Sequence, residues 1–475
     1  MRRFWLIMLS VGLVAALITP AFALDVQFSG SYYAAGMYED QVSLIKGTPI
    51  SKTMPNMNNE STAFYFQRLR VETDFIVSPG LSLITRFTAL ERVWGGPRAA
   101  PSAYNGEHLR DPSDSWYFTS AGTTAENENI AFDWAYIKYA SPIGIFTVGY
   151  QEDLAWGTVF GNNTINGAPW GTIGWSLQLD RWTLLAQIVK LDDFSNTAIY
   201  PSTVTDGDAD EYFAGFIYRW KGGEAGARYL FYRNAVYKPS PGHLTALHSI
   251  QPYAIAKIGP VTIQAELNYY WGDDKYEDGI TTSIRLDAIN FFLDAVADFN
   301  MFYFGGTFAY LSGDNPNTTD RVEGGPWLYW SQMANNATGG GLDWNPCLIM
   351  FNFDRTYWAG YLQGYNGTFN GSPMQNAWFG QLRGGVRPIA ALNIMASVSY
   401  AMADQPLTTA IGWASDKSYG WELDVTGTYK ITNNLSYMLG VGYWWVGDFY
   451  RATNTETSAP LRDEYLIISK LTLAF

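Results

Sequence analysis

The sequence predicts an all-β protein, a closed antiparallel transmembrane β-barrel of about 18 strands, with 16 as the alternative count. Many short segments alternate strictly between apolar and polar residues, which is typical of strands with two different faces. Hydrophobic residues make up 47% of the chain and aromatic residues 16%, yet beyond the N-terminus no stretch reaches the roughly 18 apolar residues of a spanning helix. Short turns alternate with long polar connections, the asymmetry between periplasmic turns and extracellular loops.

The hairpin from Trp421 to Trp445, which turns at residues 432–434, shows the alternation most clearly. Ten residue steps from Trp421 to Ile431 rise about 25 Å in a tilted strand, the height of an outer-membrane apolar band. Amphipathic aromatic residues at both ends of such a band suit two membrane–water interfaces. The sequence therefore predicts a lipid-facing aromatic girdle that includes Trp421, Tyr429, Tyr437, Tyr443 and Trp445.

The N-terminus has the pattern of a secretory signal peptide. Arg2 and Arg3 precede an apolar run, and Ala21-Phe22-Ala23 supplies a cleavage site. We expect residues 1–23 to be removed and residues 24–475 to form the barrel. The mature chain then carries 28 basic against 44 acidic residues, a net charge of −16, which argues against nucleic acid as a partner.

Ladders of charged residues occupy the polar faces of several strands. A central Arg facing lipid costs about 2–4 kcal/mol, so these side chains are expected to line a wet lumen. The alternative role is simple pairing across strands. The predicted pore-lining residues are Arg68, Arg70, Glu72 and Asp74 on one strand, Arg86 and Arg92 on the next, and Glu422 and Asp424 in the last hairpin.

Two regions depart from the regular pattern. The stretch from Ser312 to Gln375 contains the single cysteine, Cys347, and is expected to be a long folded loop, with residues 355–365 as a candidate extra strand. The final strand, residues 463–475, ends in an alternating apolar series. Its last members, Leu471, Leu473 and Phe475, resemble the signal that the barrel-assembly machinery recognises.

The whole mature chain resembles outer-membrane porins and the alginate-export-like group. The resemblance is carried by strand–turn–strand units such as residues 68–87 (RLRVETDFIVSPGLSLITRF) and 135–151 (AYIKYASPIGIFTVGYQ). It implies passive solute diffusion through a water-filled lumen. It also implies that the third long loop folds inward and opposes its acidic residues, here Glu152 and Asp153, to the arginines of the wall.

The sequence contains only weak candidates for a metal site or a catalytic site. The carboxylates of Asp206, Asp208 and Asp210 alternate as in a hard-cation site, but the full calcium loop is missing and a solvated acidic loop is the alternative. Motifs of hydrolases, zinc peptidases and nucleotide-binding loops are not found. No enzyme activity, no cofactor and no resident metal are therefore expected.

The leading functional hypothesis is an outer-membrane channel of a Gram-negative bacterium for small hydrophilic solutes or ions. The alternatives are a barrel sheath around a partner such as an electron carrier, and an export channel for a polysaccharide or another specific substrate. The expected partners are outer-membrane lipid, the barrel-assembly machinery and small solutes. The sequence also allows assembly of the barrels as a homotrimer.

Overall fold

The computed structural model describes residues 25–40, 43–45, 61–95, 130–152, 156–161, 169–193, 207–236, 243–276, 283–324, 340–365, 368–371, 373–406, 416–451 and 461–475. The predicted signal peptide lies outside these residues. Eighteen strands form one closed antiparallel barrel, which confirms the predicted fold class and strand number; the sheet also includes the two-residue strand Arg321–Val322, which pairs parallel with residues 285–286. The strands, named β1–β18 in chain order, are Asp25–Glu39, Thr62–Ser78, Leu81–Val93, Ile130–Ser141, Gly144–Gln151, Trp170–Leu179, Trp182–Asp193, Asp208–Trp220, Gly223–Asn234, His243–Ile258, Val261–Tyr276, Ile284–Asp298, Phe302–Leu311, Ala377–Ile389, Leu392–Ala403, Ser418–Lys430, Leu435–Val446 and Glu464–Ala474.

Hydrogen bonding between the first and last strands closes the barrel. β1 pairs antiparallel with β18 from Ser31 opposite Ala474 onward. Just beyond this ladder, the Gly30 amide donates to the Phe475 carbonyl at 2.8 Å, and the Phe475 amide donates to the Gly30 carbonyl at 3.0 Å. The terminal residue therefore completes the seam, which leaves no open edge in the sheet.

The two faces of each strand have different surroundings. On β16, Leu423 and Val425 point outward and are 42% and 46% exposed, whereas Asp424 between them is only 3% exposed. Successive side chains alternate between the faces of a strand, so the apolar column meets lipid and the polar column meets the lumen. The alternation gives the barrel an apolar outer surface, and the pairing between strands satisfies the backbone polar groups that lipid cannot hydrogen-bond.

The predicted girdle residues lie on the outward face. Trp421 registers with Trp445 near the long-connection end of the hairpin, and Tyr429 registers with Tyr437 near its turn. Tyr443 is outward as well, and all five side chains are exposed by about a third to a half. Their assignment to two lipid interfaces stays a prediction that this geometry suits.

Short turns gather at one end of the barrel and long connections at the other. Examples of the short turns are those at residues 79–80, 142–143, 180–181 and 221–222. In bacterial barrels the short turns are periplasmic and the long connections are extracellular. None of the helices in the described residues is both long and apolar enough to span a bilayer.

The lumen segment, defined as residues 340–365 and 368–371, lies inside the barrel against the inward face of the strands. It contains one helix, α1 (Phe353–Ala359), in a region where the sequence predicted a candidate extra strand over residues 355–365. The strand alternative is wrong over α1, because Asn352 caps the helix: its side chain accepts from the Arg355 amide at 2.9 Å. Gly360 ends the helix with a positive φ of 87°, a conformation open mainly to glycine.

We expect Gly30→Ala to destabilise the barrel. An added Cβ would collide with the Arg70 carbonyl oxygen and come within 2.9 Å of the Phe475 ring. Overpacking of this kind costs roughly 1–3 kcal/mol. Gly427→Ala is the matched control, since nothing lies within 4 Å of that position. Urea unfolding of the refolded barrel, followed by its heat-modifiable gel migration, should give a lower midpoint for Gly30→Ala alone; equal midpoints would contradict the seam packing.

Candidate constriction of the barrel lumen

Three arginines form a cluster on the inner wall of β2 and β3. Arg68, Arg70 and Arg86 lie on the inward-facing side of these strands, and Arg86 is only 5% exposed. Arg86 Nε lies 3.1 Å from Asp133 Oδ2, and Arg70 Nε lies 3.7 Å from the same oxygen. Arg68 Nη1 lies 3.1 Å from Glu91 Oε1. Each guanidinium is therefore held by a carboxylate on the same wall.

Aromatic rings fix the planes of two of these guanidinium groups. The Arg86 guanidinium lies 3.7 Å from the centre of the Trp134 ring, and that of Arg68 lies 5.1 Å from the centre of the Tyr33 ring. Stacking on a ring and pairing with a carboxylate both suit the planar guanidinium. The cluster is thus held in a defined orientation towards the lumen.

Glu152 joins the cluster from the third long connection. Its Oε1 accepts from Arg86 Nη2 at 2.5 Å. Burial raises the pKa of Glu152 to about 7, while the positive charges of Arg86 and Arg70 act against that rise and Asp343 adds to it. The acidic residue and the basic wall that the resemblance implied are therefore in direct contact. Asp153, its predicted companion, lies outside the described residues.

The remaining predicted residues of β2 and β3 divide between the two faces. Glu72 and Asp74 continue the inward column of Arg68 and Arg70 and are partly buried. Arg92 departs from it. Leu90 has a positive φ of 52° and marks a bulge, and beyond it Arg92 registers with Gln67 on the outward parity of β2. The prediction that Arg92 faces the same side as Arg86 is therefore wrong, because the extra residue of the bulge reverses the alternation.

Residues 156–161 of the third connection attach to the inner wall formed by β10 and β11. Thr158 donates to Glu266 Oε2 on β11 from both its amide, at 2.7 Å, and its hydroxyl, at 2.9 Å. Trp156 Nε1 donates to the Gln251 carbonyl of β10 at 3.1 Å. Glu266 is 2% exposed, so donors from this connection replace water around its carboxylate.

The third connection also contacts the lumen segment. The Phe160 ring stacks on Phe292 of β12 with centroids 5.1 Å apart, and it meets Trp344 of the lumen segment at the same distance. The Gly341 amide donates to the Phe160 carbonyl at 2.6 Å. The two inward-folded pieces are therefore joined inside the barrel.

The last hairpin anchors the lumen segment through two carboxylates. Glu422 accepts from the amides of Ile349 and Met350, both at 2.7 Å, and Asp424 accepts from the Leu348 amide at 3.3 Å. The sequence placed Glu422 and Asp424 on the pore wall. The structure puts them on that wall, and the lumen segment covers them.

Sequence reasoning missed the other anchors of this segment. Arg355 of α1 pairs with Glu39 of β1, and both side chains are almost wholly buried. Lys470 Nζ lies 3.4 Å from Asp354 Oδ2. Negative charge on Asp354 is favoured, since Lys470 and the nearby arginines hold its pKa below the ordinary value despite burial. The inward parity of Glu39 was readable from β1, but its partner lies 316 residues away.

The candidate metal ligands have other roles. Lys190 Nζ lies 2.7 Å from Asp208 and 3.1 Å from Asp210, so a lysine ammonium occupies the position suggested for a cation; Asp206 lies outside the described residues. Donor atoms of Cys347, Glu422 and Asp424 lie within 4.8 Å of one another. Because their carboxylates already receive backbone amides, this group acts as an anchor for the lumen segment.

The chain has no match among models of known protein families or among curated proteins. It is similar in structure to three solved barrels, each with a TM-score of 0.50. OccK8 (OprE) of Pseudomonas aeruginosa is 13% identical, with 95% of this chain and 98% of that chain covered. OccK2 (OpdF) of the same organism, solved in complex with glucuronate, is 11% identical, with 96% and 99% covered. OccAB4 of Acinetobacter baumannii is also 11% identical, with 96% and 100% covered.

Identities this low show a shared fold and nothing finer. The fold and the lipid-facing apolar band agree with the predicted location in the outer membrane. The chain therefore has the fold of the outer-membrane porins, built as a closed barrel of 18 strands.

Proposed function

We propose that this protein is a passive diffusion channel of the outer membrane for small hydrophilic solutes. The observation that carries the proposal is the fixed group of opposite charges inside a closed barrel: Arg70 and Arg86 on the wall, Asp133 beside them, and Glu152 from the third connection. A barrel needs no such group for its lipid face, where charge is costly. Charges on the inner wall suit polar solutes and water.

The arrangement also supports a selective narrowing. Charged side chains that line a narrowing set up a local field that orders water and sorts solutes by charge. Because stacking and ion pairs hold the guanidinium groups in place, this field has a defined direction. The two inward-folded pieces occupy part of the lumen, and the third connection reaches the charged cluster through Glu152.

Small polar molecules, including carboxylated sugars, are the proposed solute class. The similar OccK2 barrel was solved with glucuronate. In this chain Arg70 has 18% of its side chain exposed, so its guanidinium remains accessible from the lumen. Proteoliposome swelling in glucose and in glucuronate of equal osmolarity would compare neutral and acidic sugars directly.

We further propose that the protein is a channel without catalytic activity. The sequence contains three histidines. Of these, His248 belongs to an outward-facing aromatic row and stacks 4.8 Å from Phe231. The side chains of His108 and His243 lie outside the described part of the chain. The sheath and export alternatives have no observation in their favour.

We expect the purified protein to give stepwise ohmic conductance in a planar bilayer. Arg70→Gln should shift the reversal potential in a salt gradient towards cations, because it removes one positive charge from the lumen while Arg86 still pairs with Asp133. Arg92→Gln is the matched control, since Arg92 follows the bulge on the outward parity. Absence of conductance would overturn the proposed function. Conductance with equal reversal potentials in both variants would place the selective point elsewhere.

We expect ion selectivity to change with pH near neutrality. Below about pH 7 Glu152 takes up a proton and Arg86 loses a compensating charge. Reversal potentials should therefore move towards anions as the pH falls from about 8 to about 6. Glu152→Gln should hold the low-pH value throughout this range. A wild-type response that persists in Glu152→Gln would show that another group titrates.

A further inference from the structure

A row of charged residues crosses the lipid-facing side of β7–β12 near the long-connection end. Its members register directly from strand to strand: Lys190 with Asp210, Asp210 with Arg233, and Ala246 with Asp273, which in turn faces Arg285. Arg233 registers with Ala246, so the charged row is interrupted by one alanine on β10 and resumes at Asp273. The row shares its face with outward, exposed side chains such as Ile188 and Ile289.

An aromatic row lies one residue pair closer to the membrane centre. Phe231, His248 and Trp271 register in sequence across β9, β10 and β11. Their rings stack, with centroids 4.8 Å apart for the first pair and 5.6 Å for the second. Below them the face turns apolar with Ile250 and Ile289. The order from charge to aromatic ring to aliphatic chain matches the passage from lipid headgroups to acyl chains.

The two rows border a half-open cavity of about 300 Å³ at the junction of β10, β11 and β12. It exists because Ala246 interrupts the charged row with a single methyl group. Lys275 and Arg285 supply its basic wall, and Asp273 and Asp287 its acidic wall. His248, Tyr269 and Trp271 also line it.

The lining specifies the chemistry of an occupant. Arginine and lysine bind phosphate, and arginine can do so with two parallel hydrogen bonds. Carboxylates accept hydrogen bonds from hydroxyl groups, and the ring of Trp271 offers an apolar face to a sugar. A phosphorylated sugar headgroup supplies all three matching features, while the acyl chains of the glycolipid would lie along the apolar face below.

We propose that this cavity binds the phosphorylated sugar headgroup of a glycolipid in the outer leaflet. The depth is right, because the cavity lies at the aromatic level on the side of the long connections, which face the cell exterior in bacterial barrels. Binding here is separate from conduction, because every group of the cavity lies on the outer surface. The inference therefore goes beyond the proposed channel function and does not depend on it.

The test uses the full barrel, purified in detergent and mixed with a bis-phosphorylated glucosamine glycolipid, for native mass spectrometry. The wild type should retain the glycolipid at least about tenfold more tightly than the Lys275→Gln/Arg285→Gln variant. It should also prefer the glycolipid to a phosphatase-treated sample of the same lipid. Lys190→Gln is the control, since Lys190 lies in the same outward row but is held between Asp208 and Asp210.

Heat-modifiable migration on gels verifies that each variant is folded. Equal retention by the wild type and the double variant would overturn the proposal. So would equal binding of the phosphorylated and dephosphorylated lipids. A double variant that changes the oligomeric mass and leaves lipid binding intact would assign the surface to contact with a second copy of the chain.

Discussion

The interior of this barrel depends on carboxylates of the inner wall that are satisfied by donors from the inward-folded pieces. Glu422 receives two backbone amides of the lumen segment, and Glu266 receives the amide and hydroxyl of Thr158. Glu39 pairs with Arg355. A buried carboxylate without partners is strongly unfavourable. The wall therefore holds the two pieces in place, and the pieces in turn keep the wall charges satisfied.

Strand number explains why such pieces are needed. Inner side chains can fill barrels of about eight strands, whereas barrels of 16 to 18 strands leave an aqueous channel. In this barrel the third connection and the lumen segment enter that space and meet at Phe160 and Trp344. They bring Glu152 to Arg86 and leave the lipid-facing side unchanged. Narrowing of the lumen and stability of the shell are thus controlled by opposite faces of the same strands.

The shell was predictable because it follows from local alternation. The girdle pair Trp421 and Trp445 and the inward parity of Arg68 and Arg70 needed only a period of two. Prediction failed where alternation breaks: the bulge at Leu90 turned Arg92 outward. It also failed for contacts between distant segments, such as Arg355 with Glu39, because no local pattern specifies a partner 316 residues away. The inward third connection followed from the resemblance, not from periodicity.

We infer that wall carboxylates hold the lumen segment in place and so set the width of the channel. Single-channel conductance of Glu422→Gln tests it most directly, because Glu422 accepts one backbone amide on each of its two oxygens and glutamine has only one acceptor oxygen. Thr426→Ala, four residues further along the same strand and on the same inward face, is the matched control. Glu422→Gln alone should show a larger and more variable conductance than the wild type. A conductance equal to that of the wild type and the control would contradict it.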